Sequence, residues 1–256
     1  MISKNRIRYI QSLQDKKVRD EEQTYLIEGD KLIKEYLHSG MRLKFLAAVP
    51  EFIDLLRQQE KESIDEIEPA SIKELERMSS LKTPHNAIAA VSFPADLPDP
   101  MKINDSLLIA LESIQDPGNL GTIIRAAAWF GFRHIVCSLN CVDVYNPKVI
   151  QASMGAMLNV TVCYHDLGEL LENARKKGIH VYGTHLEGEP VYTSKIGNRG
   201  IILFGNESSG ISDELLPFVT TRLLIPRFSN SIHGVESLNV GMAASVVFSE
   251  FARRRN

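Results

Sequence analysis

Apolar residues along the chain follow two patterns, a spacing near 3.6 residues and short unbroken runs, and the two alternate from one end to the other. Ile7, Ile10, Leu13 and Val18 fall at helical spacing, so residues 1–19 predict an amphipathic helix whose outer face carries Lys4, Arg6, Arg8, Lys16, Lys17 and Arg19. A strand over Thr24–Glu28, a break at Gly29, a helix over Asp30–His38, a strand over Leu43–Val49 and a helix around Phe52–Gln59 come next. Ser71 and Glu74 form an S-x-x-E capping box that opens a helix running to about Met78, and Ala87–Phe93 reads as the next strand. Pro94, Pro98 and Pro100 then fall within one short acidic stretch, which resists helix and sheet alike and marks a linker. The boundaries expected are a first domain over 1–94, a linker over 95–105 and a second domain over 106–256.

In the second part, Leu107–Leu111, Ile135–Leu139, Val160–Tyr164, Ile179–Thr184, Ile201–Phe204 and Arg222–Ile225 read as strands, most of them separated by helical segments. Continuous apolar strands alternating with helices predict an α/β domain: a mostly parallel sheet with helices on both faces. The last helix, Ser237–Arg253, carries apolar residues on more than one face and is expected to be largely buried.

Composition narrows the setting. The 256 residues are 44% hydrophobic and 24% charged, as in globular domains. No run reaches the roughly 18 apolar residues of a membrane span, and Met1–Asp20 is too charged for a signal peptide, so a soluble, unexported protein is expected. Three cysteines, Cys137, Cys141 and Cys163, are an odd number and too few for a disulfide framework, which points to a reducing cytoplasm. Cys137 and Cys141 with nearby His134 fall short of the four ligands of structural zinc, so no metal is expected. A net charge of −3 excludes a wholly basic nucleic-acid binder, but the first nineteen residues alone carry +5. Any RNA contact would begin with such local patches, the Arg253–Arg255 tail being another.

There is no G-x-x-x-x-G-K-[ST] loop and no G-x-G-x-x-G after a strand, which weakens kinase and dehydrogenase readings. Polar and glycine residues gather instead behind three strands, where open parallel sheets bind their ligands. The first cluster runs from Glu112 through Pro117 and Gly118 into a helix starting near Asn119, with Arg125 two turns on in an otherwise apolar stretch. A charge in such a helix calls for a partner, and arginine suits an anion such as phosphate as well as a structural carboxylate. The second is Phe204-Gly-Asn-Glu-Ser-Ser-Gly210, with a single carboxylate at Glu207 between permissive glycines. The third is Ile225-Pro226-Arg227 with the loop through His233 to Glu236-Ser-Leu-Asn-Val240, in which Ser237 and Asn239 are also candidate helix caps.

Together, QDPGNLGTIIRAAAWFGF, LFGNESSGIS and ESLNV with the preceding Ile-Pro resemble the three ordered motifs of the SpoU/TrmH family of RNA ribose 2′-O-methyltransferases, in the SPOUT superfamily. VRDEEQTYLIEGDKLIKE is similar to the opening of the substrate-binding domain that precedes that catalytic domain. The resemblance implies S-adenosylmethionine as cofactor, a carboxy-terminal trefoil knot, a homodimer and methyl transfer to structured RNA, with ribosomal RNA favoured over transfer RNA. Carried onto this chain, it implies a reacting site of Arg125, Asn119, Glu207, Ser237 and Asn239. Arg125 would clamp a phosphate and orient the hydroxyl, while Glu207 would hold Arg125 or a neighbouring backbone group. Cofactor contacts would come from Thr184, Phe204, Gly205, Asn206, Glu207, Gly210, Ile225, Pro226, Ser237, Leu238 and Asn239. The stretch Arg227–Val235 is longer than the family pattern, and Gly241 stands where alanine or a small polar residue is expected. The competing readings are a transfer-RNA enzyme, a non-catalytic RNA-binding protein of the same fold, and a small-molecule α/β enzyme.

Overall fold

The computed structural model describes residues 2–81, 83–102, 106–229 and 237–255. They group into two compact units, one of residues 1–95 and 145–158 and the other of residues 96–144 and 159–256.

The first unit begins with two helices rather than the single one expected: α1 (Lys4–Ser12) and α2 (Lys16–Glu22), each opened by its own side-chain cap, Ser3 and Asp15. The segment continues through β1 (Thr24–Glu28), α3 (Asp30–His38), β2 (Leu43–Ala48), the short helices α4 (Pro50–Asp54) and α5 (Gln58–Glu62), β3 (Ile67–Pro69), α6 (Ile72–Met78) and β4 (Ala87–Ser92). Two short helices therefore replace the one expected around Phe52–Gln59, and β3 was not legible because it spans only three residues. The Ser71/Glu74 capping box forms at the start of α6 as its spacing predicts. The strands order β1-β4-β2-β3 in a mixed sheet. One side of this unit also holds residues from late in the chain: Tyr145 stacks on Phe93 with ring centroids 4.1 Å apart, and Ile150 joins the core of Tyr25, Ile33 and Tyr36.

The second unit contains β5 (Leu107–Leu111), α7 (Pro117–Trp129) and β6 (His134–Cys137). The helix α8 (Pro147–Ser153) belongs to the first unit, and the second resumes with β7 (Thr161–Tyr164), α9 (Leu167–Lys176), β8 (Val181–Pro190), β9 (Gly200–Phe204), β10 (Thr221–Leu224) and α10 (Val240–Arg255). The sheet is parallel throughout, in the order β10-β8-β9-β5-β6-β7. Both faces are covered, as the continuous apolar strands predict. Leu203 and Val181 pack with Leu167, Leu170 and Leu171 of α9, whereas their chain neighbours point the other way. Phe204 meets Phe248 of α10 edge-on at 5.5 Å, and Tyr182 meets Phe251 at 5.1 Å.

Three local features position the loops behind these strands. Against β10, the register of β8 jumps from Gly183 opposite Arg222 to Glu189 opposite Leu223, so residues 184–188 leave the ladder. Gly205 lies so close to the backbone of Gly210 that a β-carbon would sit 2.1 Å from its carbonyl carbon, and only glycine lets this loop close on itself. Gly241 allows α10 to approach α7, since a β-carbon there would stand 3.0 Å from Cγ2 of Thr122.

Candidate active site

The three sequence clusters converge at the carboxyl ends of β5 and β9 and the amino end of α10. Asp116 caps α7 through its side chain, accepting the N–H of Asn119 at 2.8 Å, and so fixes the first turn from which the Asn119 side chain projects. Asn119 Nδ2 donates to Glu207 Oε1 at 2.8 Å, and its Oδ1 accepts from Asn239 Nδ2, also at 2.8 Å. Asn239 does two things at once: its Oδ1 accepts the N–H groups of Gly241 and Met242, capping α10, while its amide reaches across to α7. Asn206 Nδ2 donates to the Ser113 carbonyl at 2.8 Å and to Glu207 Oε2 at 3.3 Å. Its Oδ1 accepts from the backbone and hydroxyl of Ser208, tightening the 206–210 turn. The result is one chain of hydrogen bonds, Ser113–Asn206–Glu207–Asn119–Asn239, across segments up to 126 positions apart in sequence.

Arg125 stands outside this chain. It is exposed and makes no hydrogen bond or ion pair among the described residues. Six residues after Asn119, it lies about 9 Å further along the helix and on another flank. The expectation that a charge in this apolar helix calls for a partner is therefore corrected: the apolar residues around it, Ile123, Ile124 and Ala127, face inward while Arg125 faces out. The expectation that Glu207 would hold Arg125 or a neighbouring backbone group is corrected as well, since among the described residues its two oxygens serve the side-chain amides of Asn119 and Asn206.

Of the residues expected to touch cofactor, Phe204 is fully buried and offers only backbone. The hydroxyl of Thr184 donates to the Leu203 carbonyl at 3.3 Å. Ser237 and Leu238 are exposed just ahead of α10, and Leu186 is exposed in the excursion from β8. Ile225 and Pro226 come directly after β10. His233, Glu236 and the rest of residues 230–236 lie outside the described residues. Ser113, which sequence did not single out, closes the chain with a backbone φ of 55°. A left-handed glycine can be suspected from sequence, whereas a left-handed serine has no such signature.

The cysteines are free thiols. Cys141 is lowered to about 7 because Cys137 hydrogen-bonds to it, against the effect of burial, while the Cys137 thiol is pushed up by that same bond and by burial. No cluster suited to a metal ion occurs among the described residues.

The expected RNA contacts divide. Arg19 is corrected: it is buried, and its Nη1 donates to the carbonyls of Leu13 and Gln14, capping the end of α1 from inside the unit. Arg6 is held by Glu66 at 2.5 Å and Glu68 at 3.2 Å, with its guanidinium over the Phe45 ring. Lys4, Arg8, Lys16 and Lys17 are exposed, the last two in ion pairs with Asp20 and Glu21. In the carboxy-terminal tail, Arg253 and Arg254 pair with Glu250, Arg254 also donates to the carbonyls of Val191, Tyr192 and Ser194, and Arg255 covers the Phe132 ring. Arg254 and Arg255 thus hold the helix end in place, a correction to their expected place on RNA.

The model of the SpoU rRNA methylase family matches residues 106–249, and that of the MRM3-like substrate binding domain matches residues 4–89. A solved structure of a TrmH-family protein from Porphyromonas gingivalis is 36% identical and superposes with a TM-score of 0.88 over 99% of both chains. The 23S rRNA (guanosine(2553)-2′-O)-methyltransferase RlmP of Bacillus subtilis is 28% identical over 92% of this chain and 91% of its own. The SpoU methyltransferase AviRb from Streptomyces viridochromogenes, solved with AdoMet, shares the fold at a TM-score of 0.82 and 23% identity, over 99% of this chain and 98% of its own.

Proposed function

Because this chain belongs to the SpoU rRNA methylase family, we propose that it is an S-adenosylmethionine-dependent enzyme that methylates a ribose 2′-hydroxyl of ribosomal RNA. The observation that carries the reading is the hydrogen-bonded chain linking Asn119, Glu207 and Asn239, one residue from each of three distant motifs.

The loops suit the cofactor. Residues 184–188 bulge from the sheet, the 205–210 turn closes tightly behind β9, and the exposed side chains of Leu186 and Leu238 offer apolar surface for a flat heterocycle. Thr184, Phe204, Gly205, Asn206, Gly210, Ile225, Pro226 and Leu238 would hold it, mostly through backbone. When bound, S-adenosylmethionine supplies an electrophilic methyl group on a sulfonium. Asn119 has both ends of its amide fixed by charged and neutral partners, so it presents a rigid edge to an incoming ribose. Arg125, exposed and uncommitted among the described residues, takes the adjoining phosphate in its fork and aligns the hydroxyl. Ser237 adds a neutral hydrogen-bonding group beside Asn239.

The reading assigns RNA docking to the first unit, with Lys4, Arg8, Lys16 and Lys17 as phosphate contacts. It includes a reducing cytoplasm, supported by Cys137, Cys141 and Cys163 standing as buried free thiols. It also includes the family's knot, supported by α10 lying on the sheet while Arg254 grips the loop after β8. A second copy of the chain would cover the outward side of α7 and α10, where Trp129 is 85% and Met242 is 63% exposed.

Incubation with methyl-labelled S-adenosylmethionine and separate ribosomal and transfer RNA pools, then nuclease digestion and mass spectrometry, tests the reading. A labelled 2′-O-methylnucleoside in ribosomal RNA is expected. Label in transfer RNA alone overturns the substrate, and no label in either pool despite cofactor binding overturns the activity in favour of RNA binding without catalysis. Sedimentation of the native protein and of Met242→Glu checks the dimer.

A further inference from the structure

We infer that Ser138 and Asn140, in the loop after β6, are positioning residues for methyl transfer: they clamp Ser113 so that its carbonyl fixes Asn206, and through it the Glu207–Asn119–Asn239 chain. The inference deepens the reading of the site given above and rests on it.

Ser113 lies just past the end of β5 with a φ of 55°, a conformation that a residue with a β-carbon adopts only where its surroundings enforce it. Every polar group it carries is committed. Its N–H donates to Ser138 Oγ at 2.8 Å, its carbonyl accepts from Asn206 Nδ2 at 2.8 Å, and its hydroxyl accepts from Asn140 Nδ2 at 2.7 Å. Ser138 Oγ in turn donates to Asn140 Oδ1 at 2.6 Å, which closes a ring of Ser113, Ser138 and Asn140. The ring determines the peptide orientation at Ser113, and that orientation aims the carbonyl at Asn206.

Other bonds between the same two loops hold the strand end without the ring. Ser138 N–H donates to the Leu111 carbonyl at 2.9 Å and Val142 N–H to the Ile114 carbonyl at 2.8 Å. Cys141 Sγ accepts from Ile114 N–H at 3.2 Å and lies 3.3 Å from the Leu111 carbonyl, to which it donates. These tie residues 111 and 114, on either side of Ser113. The ring adds control over the one residue whose carbonyl meets the site. Asn140 is itself exposed, so removing its amide uncovers little apolar surface and leaves the fold intact. Asn206 is the transmission point, because one amide nitrogen serves both the Ser113 carbonyl and Glu207 Oε2.

The test compares Asn140→Ala and Ser138→Ala, each alone and combined with Ser113→Gly, in the full-length protein. Asn140→Ala is expected to lower kcat about tenfold, with KM for ribosomal RNA within about twofold and the unfolding midpoint within about 2 °C. Glycine holds a left-handed φ unaided and carries no hydroxyl for Asn140 to bind, so Ser113→Gly/Asn140→Ala should turn over no more slowly than Ser113→Gly alone. In protein labelled with ¹⁵N-asparagine, the Asn206 side-chain amide should shift toward its solvent-exposed position in Asn140→Ala. An unchanged kcat in Asn140→Ala, additive losses in the double variant, or an unmoved Asn206 amide each overturns the clamp. Wild-type protein that methylates no RNA removes the reading of function instead, and the Asn206 amide then decides the clamp by itself.

Discussion

Asn119→Asp probes the centre of the site, because it keeps the size of the side chain and reverses one bond. The substituted carboxylate still accepts from Asn239 Nδ2, but where Nδ2 stood, 2.8 Å from Glu207 Oε1, it now sets oxygen against oxygen. A charge-assisted hydrogen bond worth about 1.5–3 kcal/mol is lost. Two unit charges 2.8 Å apart repel by about 1.5 kcal/mol at the dielectric of water and about 6 kcal/mol at an effective value of 20. Glu207 is exposed and Asn119 half-buried, so the lower figure applies, and the side chains can swing apart to relieve part of it. The total is about 3 kcal/mol at pH 8, or roughly 6–12 °C in the unfolding midpoint of a unit this size. Asn119→Asp/Glu207→Gln, in which the donor sits on the other partner, should recover most of the loss at pH 8. Calorimetric unfolding of the four proteins at pH 8 makes the comparison. A midpoint for Asn119→Asp equal to wild type at pH 8, with no coupling to Glu207→Gln, would show that the Asn119–Glu207 bond does not hold the site together.

Arg125→Ala should leave the unfolding midpoint within about 2 °C, as an exposed side chain without a partner among the described residues does, yet cut kcat about a hundredfold or more. Full activity in a folded Arg125→Ala protein removes it from the mechanism. Arg19→Met should cost about 3 kcal/mol or more by stranding the Leu13 and Gln14 carbonyls, while the salt dependence of RNA binding stays as in wild type. Lys4→Ala and Arg8→Ala should do the reverse, lowering the slope of log affinity against log salt by about 1 each at unchanged stability. Glu74 is held down to about 2, first by the Ser71 backbone and hydroxyl and then by the N–H of Ile2. A lowered carboxyl stabilises above its unfolded value and loses that contribution as pH falls through the folded one, so wild type should exceed Glu74→Gln in stability at pH 6 and converge with it between about 4.5 and 2. Parallel denaturation curves at all pH values would contradict the capping box as its source.

Local chemistry and periodicity made part of this architecture readable in the chain alone. Unbroken apolar strands at Leu107–Leu111 and Gly200–Phe204 required a sheet buried on both faces, and Ser71 with Glu74 announced a helix start, because such signals act over a few neighbouring residues. The three polar clusters were legible for a related reason: glycines and lone polar groups at strand ends interrupt an otherwise apolar pattern. Which of those residues touch was settled only by packing. Arg19 and Lys17 look alike in a helix of mixed charge, yet one is buried and the other exposed. Arg125 and Asn119 share one motif but occupy different flanks of α7, since rotation by about 100° per residue separates what sequence places together. Ser113 draws no attention in the chain, yet its left-handed backbone connects two loops to the site, and that conformation depends on partners 25 and 27 positions away. Contacts across such separations are fixed by how the whole sheet closes, and no local pattern encodes them.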